Sequence, residues 1–534
     1  MLRINEIKLP LDYEDEQNDL KKGVARLLKI KSGDIKTLEI YKKSVDSRKK
    51  NDIKFIFSVD ITVDGDEEAL LMRSSAPRVQ KVEKYVYTLP ENKRTSQLRP
   101  VVVGFGPAGM FASLMLARAG LKPLIVERGQ KVDERTKSVY AFWNDRVLNT
   151  DSNIQFGEGG AGTFSDGKLT TGIKDSRVRE VFCEFCRNGA PEEIMISALP
   201  HIGTDKLKGV VKSLREKVIS LGGEFRFETK LTDIIIYNGS VQGVTLTEKN
   251  GKTYDYETDT VILAIGHSAR DTVEMLYNKG VPMLQKPFSV GARIEHKREM
   301  INESQYGKFA NHPRLGAASY KLACHPQGGR GAYTFCMCPG GTVVCASSEE
   351  NTVVTNGMSE YARDKENSNC AVLVGISPED FNSEHPLAGM YMQREIEEKA
   401  FLMGGGDYSA PSQLVKDFLN NVASTGCKNV KPSFPTGVKY TNLRALLPEK
   451  VTNTMCDALV KMDKMLSGFA CDDALLTGPE TRSSAPVRIV RDEFMQTKIR
   501  GLYPCGEGAG YAGGIVSAGV DGIKVAEAVL GDER

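Results

Sequence analysis

The chain has 534 residues, with 71 Lys and Arg against 69 Asp and Glu for a formal charge of +2, so nucleic-acid binding would need a local basic patch rather than a global field. With 40% hydrophobic and 26% charged residues, it is not a disordered chain and can bury sizeable cores. At roughly 150 residues per domain the length allows three or four domains, and the 51 glycines exceed the roughly 37 that an average share of about 7% would place here.

Residues 1–96 read as a small α/β unit of ferredoxin-like flavour. Leu2 to Leu11 alternates as a strand, Asp19 to Ile30 has helical apolar spacing, and Lys54 to Val63 alternates again. Arg48 to Asp52 is a charged turn, and the polar run Glu91 to Arg99 reads as a linker. Met1 to Gln17 has no apolar core of a secretory signal, and eleven cysteines without a small-scaffold pattern suit free thiols. A cytoplasmic location is the expectation. The strings Arg73-Ser-Ser-Ala-Pro77 and Arg482-Ser-Ser-Ala-Pro486 match over five residues and are taken as coincidence.

The second unit opens at residue 97. A short β-branched strand, Val101 to Val103, runs into Gly104-Phe-Gly-Pro-Ala-Gly109. A helix from Ala108 to Ala119 follows, stopping at Gly120, and a second strand, Pro123 to Val126, ends at Glu127. Val101 to Ala117 carries no charge, but its early glycines and Pro107 suit a turn between two short elements better than a membrane span. Gly104 permits the tight turn, Gly106 lets the backbone approach a pyrophosphate, and Gly109 lets the helix pack against the sheet. The helix N-terminus, with Pro107 and Ala108, then faces the phosphates with unpaired N–H groups. Glu127 can accept the hydrogen bonds of a ribose, which disfavours NADP at this site, and Arg128 follows it. This unit alone does not decide between NAD and FAD.

The far end of the chain repeats the pattern. A strand over Gly501 to Cys505 leads into Gly506-Glu507 and on to Gly513-Gly514, and a helical pattern runs from Ile515 to Leu530. A chain that returns about 400 residues later to close a nucleotide site resembles flavoproteins of the glutathione-reductase type. Val103-Gly-Phe-Gly-Pro-Ala-Gly109 with Ile125-Val-Glu-Arg128 looks like their FAD-binding start. Asp259-Thr-Val-Ile-Leu-Ala-Ile-Gly266 resembles their later strand and turn, which brings in Ala264 and Gly266. Gly506-Glu507 stands where a Gly-Asp pair is usual. More specifically, the chain resembles uncharacterised bacterial FAD-dependent dehydrogenases with an additional N-terminal domain. Gly157-Glu-Gly-Gly-Ala-Gly-Thr-Phe-Ser-Asp-Gly-Lys168, Phe335-Cys-Met-Cys-Pro-Gly-Gly341 and Glu480-Thr-Arg-Ser-Ser-Ala-Pro-Val-Arg-Ile489 carry that likeness.

The resemblance implies a Rossmann-like FAD-binding domain over 97–286, closed by 479–534, with an inserted α+β substrate domain over 287–478. In the loop Gly157 to Lys168, Gly159, Gly160 and Gly162 give backbone freedom to wrap a ring or a phosphate chain. Thr163, Ser165 and Lys168 are expected to face the cofactor, and Lys168 near the flavin edge would stabilise its reduced, anionic form. In the insertion, Ser289 to His296 alternates as a strand, with Arg293 and Glu295 on one face beside Gly291. Arg293 and His296 are candidates for gripping an anionic substrate or donating a proton; the bland alternative is charge exposed to solvent. Asn356 to Ser359 and Ser433 to Gly437 are placed at the cleft by the resemblance alone.

Cys183 and Cys186 have redox-motif spacing but lie in a helical stretch well past the glycine loop, where a structural pair is the simpler reading. Cys324, Cys336, Cys338 and Cys345 make a poor zinc signature and read as core thiols on strands, and no metal site is expected. The function expected is an FAD-dependent oxidoreductase passing hydride between flavin N5 and a small organic substrate. No second GxGxxG unit houses a resident nicotinamide, so NADH or NADPH would dock transiently. The alternatives are a flavin-dependent RNA-modifying protein, with Arg48-Lys49-Lys50 as part of its grip, a polyprenyl or lipid alkene reductase, and a redox sensor with structural FAD.

Overall fold

The computed structural model describes residues 1–73, 78–326 and 330–532; Ser-Ser-Ala-Pro at 74–77, most of the first copy of the repeated string, lies outside them. At the N-terminus the order is strand Leu2–Pro10, helix Glu16–Leu28, strands Ile35–Asp46 and Lys54–Val63, helix Glu67–Arg73 and strand Val79–Lys81. The four strands lie in the order second, third, first, fourth, which is the ferredoxin-like β-α-β-β-α-β arrangement. The strand Ile35–Asp46 has no counterpart in the pattern read from sequence. It sits at the sheet edge with two bulges, so its side chains do not alternate cleanly between core and solvent.

The centre of the molecule is a five-stranded parallel sheet. Its order is Leu502–Pro504, Val261–Leu263, Val101–Val103, Leu124–Val126 and Glu224–Arg226. The first four of these three-residue strands are buried throughout, as expected where helices cover both faces of a parallel sheet. The C-terminal strand therefore pairs beside Val261–Leu263, and the helix Ile515–Leu530 packs on Pro107–Arg118. That packing requires small residues: a Cβ at Gly522 would lie 2.1 Å from the Ala108 carbonyl oxygen.

The inserted segment forms a seven-stranded sheet in the order Ala323–Cys324, Ala332–Cys338, Asn367–Ile376, Phe288–Lys297, Leu475–Glu480, Ala410–Leu414 and Val438–Tyr440. Phe288–Lys297 is the central strand, antiparallel to both neighbours. Nine of its ten residues are buried, so both its faces are interior. The alternation that placed Arg293 and Glu295 together reflects buried polar pairing rather than a solvent face. Among the described residues no helix is long and apolar enough to cross a membrane.

Candidate functional site

Parallel strands deliver their following loops to one edge of the sheet, and ligand crevices form there. The loops after Val103, Val126, Leu263 and Pro504 meet the wall of the seven-stranded sheet around a cavity of about 600 Å³, a size usual for cofactor and small-molecule sites. Gly104 has φ +95°, and a Cβ there would lie 2.4 Å from the Ala264 carbonyl oxygen. A Cβ at Gly109 would lie 1.9 Å from the Gly104 carbonyl oxygen, so that glycine allows the helix to start tight against the turn. Gly106 caps the helix with no side-chain hydrogen bond and Pro107 follows, which leaves first-turn N–H groups for a ligand. Gly514 precedes the second helix in the same way.

Of the residues expected at the cofactor, Gly104, Gly106, Pro107, Ala108, Glu127, Arg128, Gly160, Gly162, Ser165 and Lys168 line the cavity, as do Ala264, Gly266, Glu507, Gly513, Gly514 and Ile515. Gly109, Gly159, Thr163 and Gly506 stand behind the wall. Thr163 is buried and donates to the Glu158 carbonyl oxygen at 3.3 Å, and the Gly506 N–H donates to Asp521 Oδ2 at 2.7 Å. These four shape the loops that do the lining.

Glu127 stitches three loops together. Its carboxylate accepts the N–H of Phe105 at 2.9 Å and those of Gly129 and Gly157 at 3.0 Å. A carboxylate offers about four lone-pair positions, so one remains toward the cavity. The Arg128 guanidinium lies 4.4 Å from the Phe156 ring centroid and donates to Asp271 at 2.8 Å and Thr272 at 2.9 Å. The glycine loop is laced from beneath by the fully buried Arg135, which donates to the carbonyls of Asn153, Ile154 and Glu158 at 2.7–2.8 Å.

At the other end Lys168 projects from that loop. It lies 3.1 Å from Asp166 Oδ2 and also donates to the Met337 carbonyl. Arg363 grips the same Asp166 carboxylate with two donors, Nε at 2.9 Å and Nη2 at 2.5 Å. Burial alone would raise the Asp166 carboxyl, but Lys168 and Arg363 outweigh it and hold it down at about 2. Burial works against the Lys168 ammonium too, yet Asp166 raises it above its ordinary value. One carboxylate thus serves two cations, and a net positive charge faces the cavity. Cys336, in a bulge with φ +42°, is exposed into this space rather than being a core thiol. Enclosure pushes its thiol up to about 12 despite Lys168 and Arg293, so it stays protonated.

Arg293 and His296 do not line the cavity. Arg293 lies under its wall, donating to both Glu480 oxygens at 2.7 and 3.1 Å, to Asn369 at 2.7 Å and to the Cys336 carbonyl at 3.1 Å. Its donors are spent on protein, so it supports the wall rather than gripping a substrate. His296 is fully buried, with Nε2 2.7 Å from the Phe469 carbonyl oxygen, and burial lowers its imidazole to about 4. Cys183 and Cys186 lie on the helix Arg177–Arg187, away from the cavity lining. Among the described residues no group of three or more metal-ligating side chains forms.

Several lining residues escaped the sequence reading. Arg363 carries no local signal, and Arg482 stands in the string from Glu480 to Ile489 with no role read for it. Arg482 donates to Glu397 at 2.7 Å and to Ser268 at 3.1 Å, joining the insertion to the loop after Val261–Leu263. His267 immediately follows the quoted string ending at Gly266 and was one residue from notice. Its Nδ1 lies 3.0 Å from Glu507 Oε1, and its Nε2 is buried without a hydrogen-bond partner among the described residues. The crowded glycine turns, two uncapped helix starts and this orphaned nitrogen fit a dinucleotide such as FAD.

Residues 287–483 match the family model described as FAD-dependent protein, C-terminal domain-like, and residues 1–62 match a domain of unknown function. The chain is 49% identical over 532 residues, 99% of its length and 98% of the other's, to a Clostridium beijerinckii protein named only as uncharacterized. Among solved structures it is similar to a geranylgeranyl bacteriochlorophyll reductase-like protein from Thermoplasma acidophilum. There the identity is 12%, with 81% of this chain and 78% of that one covered and a TM-score of 0.37. It is also similar to the glycerol-3-phosphate dehydrogenase from Bacillus halodurans complexed with FAD, at 10% identity, 81% and 65% coverage and a TM-score of 0.34.

Proposed function

We propose that this chain, which belongs to one family with the Clostridium beijerinckii protein and is FAD-dependent, is an oxidoreductase acting on a small organic substrate. The observation that carries the reading is a cavity in which the glycine turns of the parallel sheet and the Lys168–Asp166–Arg363 cluster together face the wall of the inserted sheet. FAD, when bound, supplies hydride exchange at N5. The first-turn N–H groups beyond Gly106 and Gly514 would hold its phosphates, and the remaining acceptor position of Glu127 a ribose hydroxyl. Lys168, kept protonated by Asp166, would set a positive charge against the flavin edge and the substrate beside it. Arg293 and Arg482 act as positioning residues: the first supports the strand carrying Cys336, and the second ties residues 479–483 to the loop at Ser268. The division at residues 96, 286 and 478 into an N-terminal unit, a nucleotide-binding unit and an inserted substrate unit belongs to the same reading. The nicotinamide donor, NADH or NADPH, would approach from the substrate side.

The test is the visible spectrum of the purified protein, followed without oxygen as NADH and then NADPH are added. Rapid bleaching with one of them establishes a reductase and its donor. Slow or absent bleaching with both turns the search to oxidisable small metabolites as reductant. A protein that remains colourless after reconstitution with FAD overturns the reading.

A further inference from the structure

We infer that His267 is a phosphate-directed residue of the cofactor site, oriented by Glu507 so that its Nε2–H meets the pyrophosphate of FAD. The inference rests on the FAD reading above and deepens it. His267 lies at the carboxyl edge of the parallel sheet, four residues past Leu263 and in the cavity lining. Its side chain is 11% exposed, Glu507 Oε1 stands 3.0 Å from Nδ1, and Nε2 is buried with no partner among the described residues. A buried imidazole nitrogen without a hydrogen bond is costly in a native structure, and on a residue that lines a ligand cavity it points to the ligand as the missing partner.

The surrounding charges narrow what that partner is. A pyrophosphate is an acceptor with two negative charges, and it needs donors beyond backbone N–H groups. Arg128 is committed to Asp271 and Thr272, Arg482 to Glu397, and Lys168 to Asp166 at the far end. Glu127 adds a negative charge at the nucleotide end. Lys286, which has Arg488 and Glu507 as its charged neighbours, donates to Ser484 and Ala485. His267 adds to these a buried ring nitrogen with no partner among the described residues. In the imidazolium form both ring nitrogens donate, Nδ1–H to the Glu507 carboxylate and Nε2–H to phosphate oxygen. A carboxylate on one ring nitrogen fixes the orientation of the other, as it does for histidines that hold metal ions.

The backbone keeps the two partners in register. A Cβ on Gly508 would lie 2.4 Å from the Gly266 carbonyl oxygen, so the loops bearing Glu507 and His267 pack directly on each other. The carboxylate at 507 is therefore assigned to the histidine first, and to the cofactor through it.

The experiment titrates flavin-free protein with FAD and records the phosphorus spectrum of the reconstituted protein. His267→Phe, which keeps the ring and removes the donor, is expected to weaken FAD binding on the order of tenfold or more and to move the bound pyrophosphate signals. His267→Gln, with a neutral donor, recovers part of the affinity. Glu507→Gln weakens binding alone but adds little on top of His267→Phe, because the two act as one unit. Wild-type affinity and unmoved phosphorus signals in His267→Phe overturn the inference while leaving the cofactor reading intact. Should His267→Phe not fold, the same comparison between wild type and His267→Gln decides it. A wild-type protein that takes up no FAD overturns both.

Discussion

Replacing Gly106 by valine separates cofactor binding from folding. Gly106 has φ −78° and ψ −176°, extended backbone that a β-branched residue adopts readily. A Cβ there meets only the Gly160 Cα, at 3.6 Å, an ordinary contact. The protein therefore accommodates the first carbon, and the two methyls beyond it enter the space in front of the helix N-terminus. Holding a phosphate away from two backbone N–H groups forfeits two charge-assisted hydrogen bonds, each worth about 1.5–3 kcal/mol. The sum of roughly 3–6 kcal/mol corresponds to roughly a 10²- to 10⁴-fold loss in FAD affinity. The assay is flavin absorbance per mole of purified chain, with circular dichroism and thermal melting of the flavin-free forms as the control for folding. Gly109→Val is the contrasting variant: its Cβ would lie 1.9 Å from a backbone oxygen, so it should damage the fold itself. A Gly106→Val protein that purifies with a full complement of flavin refutes the placement of the pyrophosphate.

Lys168→Met should leave flavin content near that of wild type and slow reduction by about a hundredfold, since it removes a preorganised cation rather than a binding contact; stopped-flow bleaching under anaerobic conditions reads this, and an unchanged rate removes Lys168 from the reaction. Cys183→Ser should leave both flavin content and reduction rate unchanged, because burial raises the Cys183 and Cys186 thiols and the helix stands apart from the cavity; lost turnover would make the pair a redox element. His296 gives a pH signature. Its imidazole falls from 6.5 to about 4 on folding, so the unfolded chain binds the extra proton between those values. Stability is therefore complete above about pH 6.5 and declines by on the order of 3 kcal/mol as pH falls toward 4. Denaturant melts of wild type and His296→Gln across that window should converge at low pH, and parallel curves would place the proton elsewhere.

Much of the nucleotide-binding unit is legible in the chain because its parts are local. Strand, glycine turn, helix, strand and acid fall within 30 residues, and Gly104 and Gly109 stand where a Cβ would lie 2.4 and 1.9 Å from a backbone oxygen. The closing helix Ile515–Leu530 and the alternating strands of the N-terminal unit read equally well, since period and capping are properties of consecutive residues. The edge strand Ile35–Asp46 was lost because bulges and exposure erase its alternation. Side-chain roles at the site were decided elsewhere. Arg293 and His296 have the residue types of a substrate grip, yet their strand is flanked on both sides by strands from residues 367–376 and 475–480, and the charge is neutralised inside. Asp166 meets Arg363 across 197 residues, and His267 meets Glu507 across 240. A periodic pattern records which face of an element is buried. Which distant group neutralises a buried charge or leaves a nitrogen unpaired depends on how the chain closes on itself, and that is settled only by the packing of the parallel sheet against the inserted one.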